Sequence, residues 1–267
     1  LKPQILQMNT LENKLKAFER LLNIMDELRE QCPWDKKQTM QSLRHLTIEE
    51  TYELADAIIK TDTNEIKKEL GDVLLHIVFY ARIAGETGDF DIADVCNALC
   101  EKLIFRHPHI YGDVKVENEE QVKENWEKLK LKEKGNVSVL GGVPNSLPAM
   151  IKASRIQDKA RAVGFDWENS NQVFEKVLEE LHELKHEIES NSSQQKKEDE
   201  FGDLLFSIIN YSRFVGINPE DALEKTNKKF IKRFQFIEEK AKENNQQLSD
   251  MSLQEMDVYW NEAKKLG

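Results

Sequence analysis

Glu180, Glu183, Glu200 and Asp203 form two acidic pairs, each spaced i and i+3. On a helix that spacing puts both members on one face, so each pair projects together. If the two helices pack antiparallel across the short stretch between 190 and 196, four carboxylates converge near one spot. Such a cluster repels itself unless its members are solvated and apart, or protons or a cation neutralise them. Carboxylate oxygens and water suit Mg2+, with Mn2+ as the alternative. Asp203 is followed at once by Leu-Leu-Phe-Ser-Ile-Ile, which predicts a buried helix with its acidic end at an interior cleft.

In a chain with 49 Asp and Glu, one acidic quartet is more often a solvated face than a metal site. Duplication changes that balance, because Glu50, Glu53, Glu69 and Asp72 repeat the quartet inside the same apolar frame. Gly71–Gly85 reads GDVLLHIVFYARIAG and Gly202–Gly216 reads GDLLFSIINYSRFVG, identical at seven of fifteen positions. Unrelated sequences of ordinary composition would share about one. Upstream, Glu50-Thr-Tyr-Glu53 matches Glu180-Leu-His-Glu183; downstream, Lys102–Arg106 matches Lys229–Arg233, and Trp126 and Trp260 close the copies. The pattern is a tandem duplication of an all-helical unit.

The elements that must position these groups follow from apolar periodicity. Leu11, Leu15, Phe18, Leu21, Leu22, Met25 and Leu28 predict a first helix that Cys32-Pro33 stops. Similar stripes predict helices near 40–60, 64–87, 90–106, 118–134, 148–163, 171–190, 196–216, 219–244 and 252–265. Asn136–Pro148 holds two adjacent glycines and two prolines, which predicts a linker. The expected organisation is a helical domain over 8–135, a linker over 136–147 and a second helical domain over 148–267, with Met8 the natural start after residues 1–7 of foreign or propeptide origin.

Composition excludes several classes. Scarce glycine (11) and proline (6) with 33% charged residues argue against an all-β protein. A formal charge of −11 opposes a nucleic-acid polymer as partner. The uncharged run Val73–Ala81 is far short of the roughly 20 apolar residues of a membrane span. Three cysteines without a CxxC pair predict reduced, buried thiols in a cytoplasm.

Two rival motifs are weaker. His182–His186 spells HELKH, a formal zinc-protease match, but the first copy has Tyr52 and Asp56 at the histidine positions, so the repeat shares the carboxylates and not the imidazoles. The same comparison weakens a di-iron reading of Glu179-x-x-His182 and Glu183-x-x-His186. His107 and His109 lie at a helix end and are expected to have a capping or loop role rather than to bind metal.

The doubled EExxE and ExxD (Glu49-Glu50-x-x-Glu53 with Glu69-x-x-Asp72, Glu179-Glu180-x-x-Glu183 with Glu200-x-x-Asp203), with the segments Cys32–Asp35 (CPWD) and Val163–Trp167 (VGFDW), closely resemble the MazG family over about Leu11–Lys265. The resemblance implies two tandem helical-bundle domains of the all-α NTP pyrophosphatase type and a homodimer with bundles formed across subunits. It also implies Mg2+-dependent hydrolysis of NTPs or dNTPs to the monophosphate and pyrophosphate. By the same resemblance Glu180, Glu183, Glu200 and Asp203 are the metal ligands, and Lys176, Lys229, Arg233 and Trp260 contact the nucleotide. Leu46 stands in the first copy where the second has Lys176, so the second domain is expected to be the active one, with Glu50, Glu53, Glu69 and Asp72 a possible second metal site.

Lys229 and Arg233, at i and i+4, share a helix face from which both reach one phosphate chain. Glu179, turned by about 100° from Glu180, is the candidate acceptor for a proton from the attacking water, the alternatives being an outer-shell partner that orients a metal-bound water and a plain surface residue. An indole such as Trp260 can stack on any base. Trp34 and Trp167 are expected to cover the bundle end. The competing expectation is a noncatalytic nucleotide- or protein-binding helical module whose acidic clusters are structural.

Overall fold

The computed structural model describes residues 9–116, 118, 121–122, 125–126, 129 and 138–266, and these contain helices and turns but no strand. Much of the helix expected over 118–134, the linker residues 136–137 and residues 1–7 lie outside the described residues. The chain divides into two compact units, Leu1–Lys115 and Val116–Gly267.

The first unit starts with α1 (Leu11–Gln31), whose N-cap Thr10 accepts from the Asn13 amide. Beyond Cys32-Pro33 comes a 3-10 turn (Asp35–Lys37), then α2 (Met40–Lys60), opened by a capping box between Thr39 and Ser42. Thr61, left-handed at φ 55°, and Asp62, which caps α3 (Thr63–Gly85), make the whole connection to the next helix. A two-residue link forces α2 and α3 antiparallel, side by side. Gly88 (φ 73°) and the N-cap Asp91 then turn the chain into α4 (Ile92–Arg106), and α5 (Pro108–Tyr111) follows. Met25, Leu43, Val78 and Phe79 form the core, with Phe18, Leu46, Leu75 and Ile92 packed around it.

The second unit repeats the plan. After turns over 138–148, α6 (Ala149–Arg161) begins behind Pro148 and ends before Gly164 (φ 87°). Next come α7 (Ser170–Glu189), capped by Asn169, and α8 (Gln194–Phe214), capped by Ser193. Asn191, at φ 52°, does in their connection what Thr61 does in the first unit. α9 (Pro219–Glu243) has proline at its first position, and α10 (Leu253–Lys265) starts with a Ser252/Glu255 capping box. α7 packs along α8, α9 packs along α10, and α6 leans on α8.

An arginine near the end of the long helix braces each unit. Arg82 Nε lies 2.5 Å from Asp26 Oδ1 on α1, and its counterpart Arg213 donates through Nη1 to Asp166 Oδ2 at 2.8 Å. Asp166 is the acid of the VGFDW segment, and Asp35, of CPWD, offers its carbonyl to Arg29. The Asp166 carboxylate and the Asp35 backbone carbonyl therefore help fix the entry loops of the helical hairpins.

Three expectations are corrected. α8 is not apolar-buried all round: Leu205, Phe206 and Ile208 are each more than 40% exposed in the single chain, because the unit has too few helices to cover every face. Cys96 and Cys100 are exposed on α4 rather than buried, and only Cys32 is half-buried. Trp34 and Trp167 stand 55% and 44% exposed instead of covering the bundle.

Candidate metal centre

The antiparallel α7–α8 hairpin brings Glu180, Glu183 and Glu200 together, with one oxygen of each within 4.8 Å of the others. Glu180 is buried, Glu200 half-buried and Glu183 exposed, so the cluster sits where the hairpin surface meets solvent. The α2–α3 hairpin does the same with Glu50, Glu69 and Asp72. Convergence is therefore threefold in each unit, not fourfold. Asp203 and Glu53 stay outside the 4.8 Å sets, although their charges still act on Glu200 and Glu50 respectively.

The electrostatics match a site short of positive charge. Desolvation raises the Glu200 carboxyl above its ordinary range, and the charges of Glu183, Glu180, Asp203 and Glu187 add to the rise. Glu50 is raised the same way, by burial first and then by Asp72, Glu53, Glu69 and Glu49. Glu69, only 3% exposed, has an Oε2 atom without any hydrogen-bond partner, and the buried Glu187 Oε2 is orphaned too. Orphaned, buried, anionic oxygens beside mutually repelling carboxylates fit a hard divalent cation.

Among the described residues each cluster is paired with one lysine, contributed by a different helix in each unit. Lys176 on α7 places Nζ 2.6 Å from Glu179 Oε1 and 2.8 Å from Glu180 Oε1, and these bonds raise its pKa, Glu179 first. In the first unit Leu46 occupies that position and packs against the core, while Lys68 on α3 reaches Glu69 Oε1 at 2.8 Å. Glu179 is more than half exposed and holds the lysine as its one hydrogen-bond donor among the described contacts.

Lys229 and Arg233 lie on α9, and Trp260 on α10 faces Arg233. The Arg233 guanidinium stands 5.6 Å from the Trp260 ring centroid, and Phe230 packs on the same indole at 5.1 Å. Trp260 is thus already engaged by Arg233 and Phe230, which holds the arginine in one orientation. The Arg233 Nε is buried with no partner.

His182 and His186 are exposed, and neither joins a candidate ligand cluster among the described residues. His107 caps α4 as expected, with Nδ1 2.7 Å from the Leu103 carbonyl oxygen. Glu187 was not anticipated. The signal was present, since it lies one turn beyond Glu183, but the first copy has Ala57 there, so the repeat gave no support.

Comparison with known proteins follows the same two segments. The MazG nucleotide pyrophosphohydrolase domain matches residues 38–111 and again 168–236. A protein of Thermotoga maritima named nucleoside triphosphate pyrophosphohydrolase/pyrophosphatase MazG is 46% identical over 92% of this chain and 95% of its own length. The nucleoside triphosphate pyrophosphohydrolase of Escherichia coli K12 is 40% identical over 94% of this chain and 98% of its own. Among solved structures, a mazG-related protein from Thermotoga maritima covers 43% of this chain and 99% of that one, at 28% identity and a TM-score of 0.38.

Proposed function

The chain belongs to the MazG nucleotide pyrophosphohydrolase family, and from that premise we propose that its second unit hydrolyses nucleoside triphosphates to the monophosphate and pyrophosphate. The observation that carries this reading is the meeting of Glu180, Glu183 and Glu200 beside Lys176. Glu180, Glu183 and Glu200, with Asp203 close by, would hold Mg2+ or Mn2+. Such an ion supplies Lewis acidity and charge neutralisation at the phosphate oxygens.

The side chains have separable tasks. A triphosphate brings about four negative charges to a chain of formal charge −11, so local cations must outweigh the global field. Lys229 and Arg233 engage the phosphate chain, Arg233 with its plane set by Trp260. Any exposed part of the indole face is available to a base. Lys176 leaves its carboxylate partners as substrate arrives and adds a third cation.

Water oxygen attacks the α-phosphorus. The bond from that phosphorus to the bridging oxygen breaks, pyrophosphate departs with the bonding pair, and Glu179 Oε takes the proton of the water. Exposure of Glu179 supports this role, because it can meet a solvent water without desolvation cost.

The exposed apolar faces support a homodimer. Tyr52, Leu70 and Ile77 of the first unit and Leu181, Phe201 and Leu205 of the second are all uncovered in the single chain. A second copy is the occupant that the duplicated, self-similar faces favour. A cytoplasmic location accords with three unpaired cysteines, and no described helix is long and apolar enough to cross a membrane.

The deciding experiment is pyrophosphate release from the eight common NTPs and dNTPs, with and without Mg2+. Release that needs the metal is expected; no release from any of the eight would leave only a noncatalytic binding module.

A further inference from the structure

The helix that carries Lys229 and Arg233 holds more positive charge than those two residues supply. Lys225–Arg233 contains five cations and no acid, in a chain where Asp and Glu outnumber Lys and Arg by 49 to 38. Lys225, Lys229, Lys232 and Arg233 stand at i, i+4, i+7 and i+8, so they share an arc of about 100° on α9. The opposite face is used for packing: Ile237 is buried, and Phe230 lies on the Trp260 indole. The cationic face is therefore turned to solvent, with Lys225, Lys229 and Lys232 exposed and Arg233 half-buried.

The first unit lacks this stripe. Its aligned segment, Ala98–Arg106, keeps Lys102 and Arg106 but has Ala98, Glu101 and Phe105 where the second has Lys225, Lys228 and Lys232. Nor are the added charges taken up by neighbours. Lys228 Nζ lies 3.8 Å from Glu224 Oε1, but no ion pair of Lys225, Lys229 or Lys232 occurs among the described residues. Like charges at i and i+4 destabilise a helix, so a run of them without acidic neighbours calls for an anion that neutralises it. Asp221, one turn before Lys225 on the same face, ends the stripe.

We infer that this face recognises nucleoside 5′-polyphosphates with more than three phosphates, the groups beyond the third being held by Lys225 and Lys232. The inference rests on the proposed function, which gives the phosphate chain to Lys229 and Arg233. Those two span about 6 Å along the helix axis, and Lys225 lengthens the span to about 12 Å. Lys232 flanks the same chain beside Lys229, and each ammonium meets phosphate oxygens as a point charge. A nucleic-acid polymer is opposed by the formal charge of −11, whereas a free nucleotide is small enough to lie within the local field of the stripe. The bond cleaved is unchanged. Water oxygen attacks the α-phosphorus, its proton passes to Glu179, the bond to the bridging oxygen breaks, and a tetraphosphate releases tripolyphosphate with the bonding pair.

Hydrolysis of adenosine and guanosine 5′-tetraphosphate beside ATP and GTP, by the full chain in Mg2+ with products separated by anion exchange, tests the inference. Each tetraphosphate should give the monophosphate and tripolyphosphate, with kcat/KM at least about threefold above that of its triphosphate. Joint replacement Lys225→Ala and Lys232→Ala should lower the tetraphosphate value at least about tenfold and the triphosphate value by less than about threefold. Lys225→Arg with Lys232→Arg should keep the tetraphosphate value. Alanine favours the helix at both exposed positions, so the alanine pair should fold. A smaller preference for the tetraphosphates, or equal losses for the two chain lengths, would overturn the inference and leave triphosphate hydrolysis standing. Hydrolysis of none of the four would overturn it too, and pyrophosphate release from the eight NTPs and dNTPs then shows whether the activity itself falls.

Discussion

Lys176 Nζ lies 2.8 Å from Glu180 Oε1, and the carboxylate is far more buried than the ammonium that neutralises it, with side-chain exposures of 8% and 34%. The pair therefore balances an acidic cluster that has no other described cation in hydrogen-bond reach of Glu180.

Removing the lysine should expose that imbalance. Lys176→Ala leaves Glu180 as an uncompensated buried charge, and we expect a loss of about 1–3 kcal/mol in urea unfolding, reduced because the lysine is one-third exposed. Millimolar Mg2+ should restore more stability to the variant than it adds to the parent. No stabilisation of either protein by Mg2+ would refute metal binding at this cluster.

The two units should differ in activity. Glu180→Gln or Asp203→Asn is expected to lower kcat/KM for the preferred triphosphate by about 100-fold or more, and Glu50→Gln by only a few-fold. His182→Ala should leave the rate near that of the parent. Equal losses from Glu50→Gln and Glu180→Gln would contradict the assignment of catalysis to the second unit.

Acid stability should depend on the first unit's brace. The hydrogen bond from Arg29, reinforced by Arg82, holds the Glu86 carboxyl below its ordinary range despite partial burial. The folded state thus binds this proton less readily than the unfolded chain. Its contribution is present above the unfolded carboxylate pKa of about 4.3 and is lost as pH falls through the lower folded value. Glu86→Gln should be less stable than the parent at pH 7, and the gap should close as pH falls through the depressed folded value. A gap that stays constant with pH would show that the pair contributes nothing through ionisation.

Thiol chemistry offers a direct check of exposure. A disulfide reagent should modify Cys96 and Cys100 quickly in the native protein and Cys32 more slowly, with all three alike after denaturation. Protection of both α4 thiols in the native protein would mean that α4 is covered in the assembly.

Much of the fold is local and could be read from the residues alone. Helix starts follow from side chains that satisfy free backbone amides within three residues, as at Thr39, Asp62, Asn169, Ser193 and Ser252. Helix faces follow from a 3.6-residue period, and the repeat follows from identities such as Gly71, Asp72, Tyr80 and Arg82 with Gly202, Asp203, Tyr211 and Arg213. Those regularities were enough to select the two carboxylate sets and to place each on a helical hairpin.

What only the tertiary structure decided depends on distances between elements that no periodicity encodes. Register across the α2–α3 and α7–α8 hairpins chose which three of four acids meet, and gave the role of neutralising cation to Lys68 in one unit and Lys176 in the other. Whether LLFSII was buried or Cys96 exposed depended on how many neighbouring helices each unit could supply. Gln157 reads as an ordinary polar residue on a helix until packing removes it from water with one lone-pair-bearing oxygen unanswered. Sequence fixes what each side chain can do within a turn of its own helix; solvent exclusion and partner distance are properties of the assembled bundle, because they are set by atoms remote along the chain.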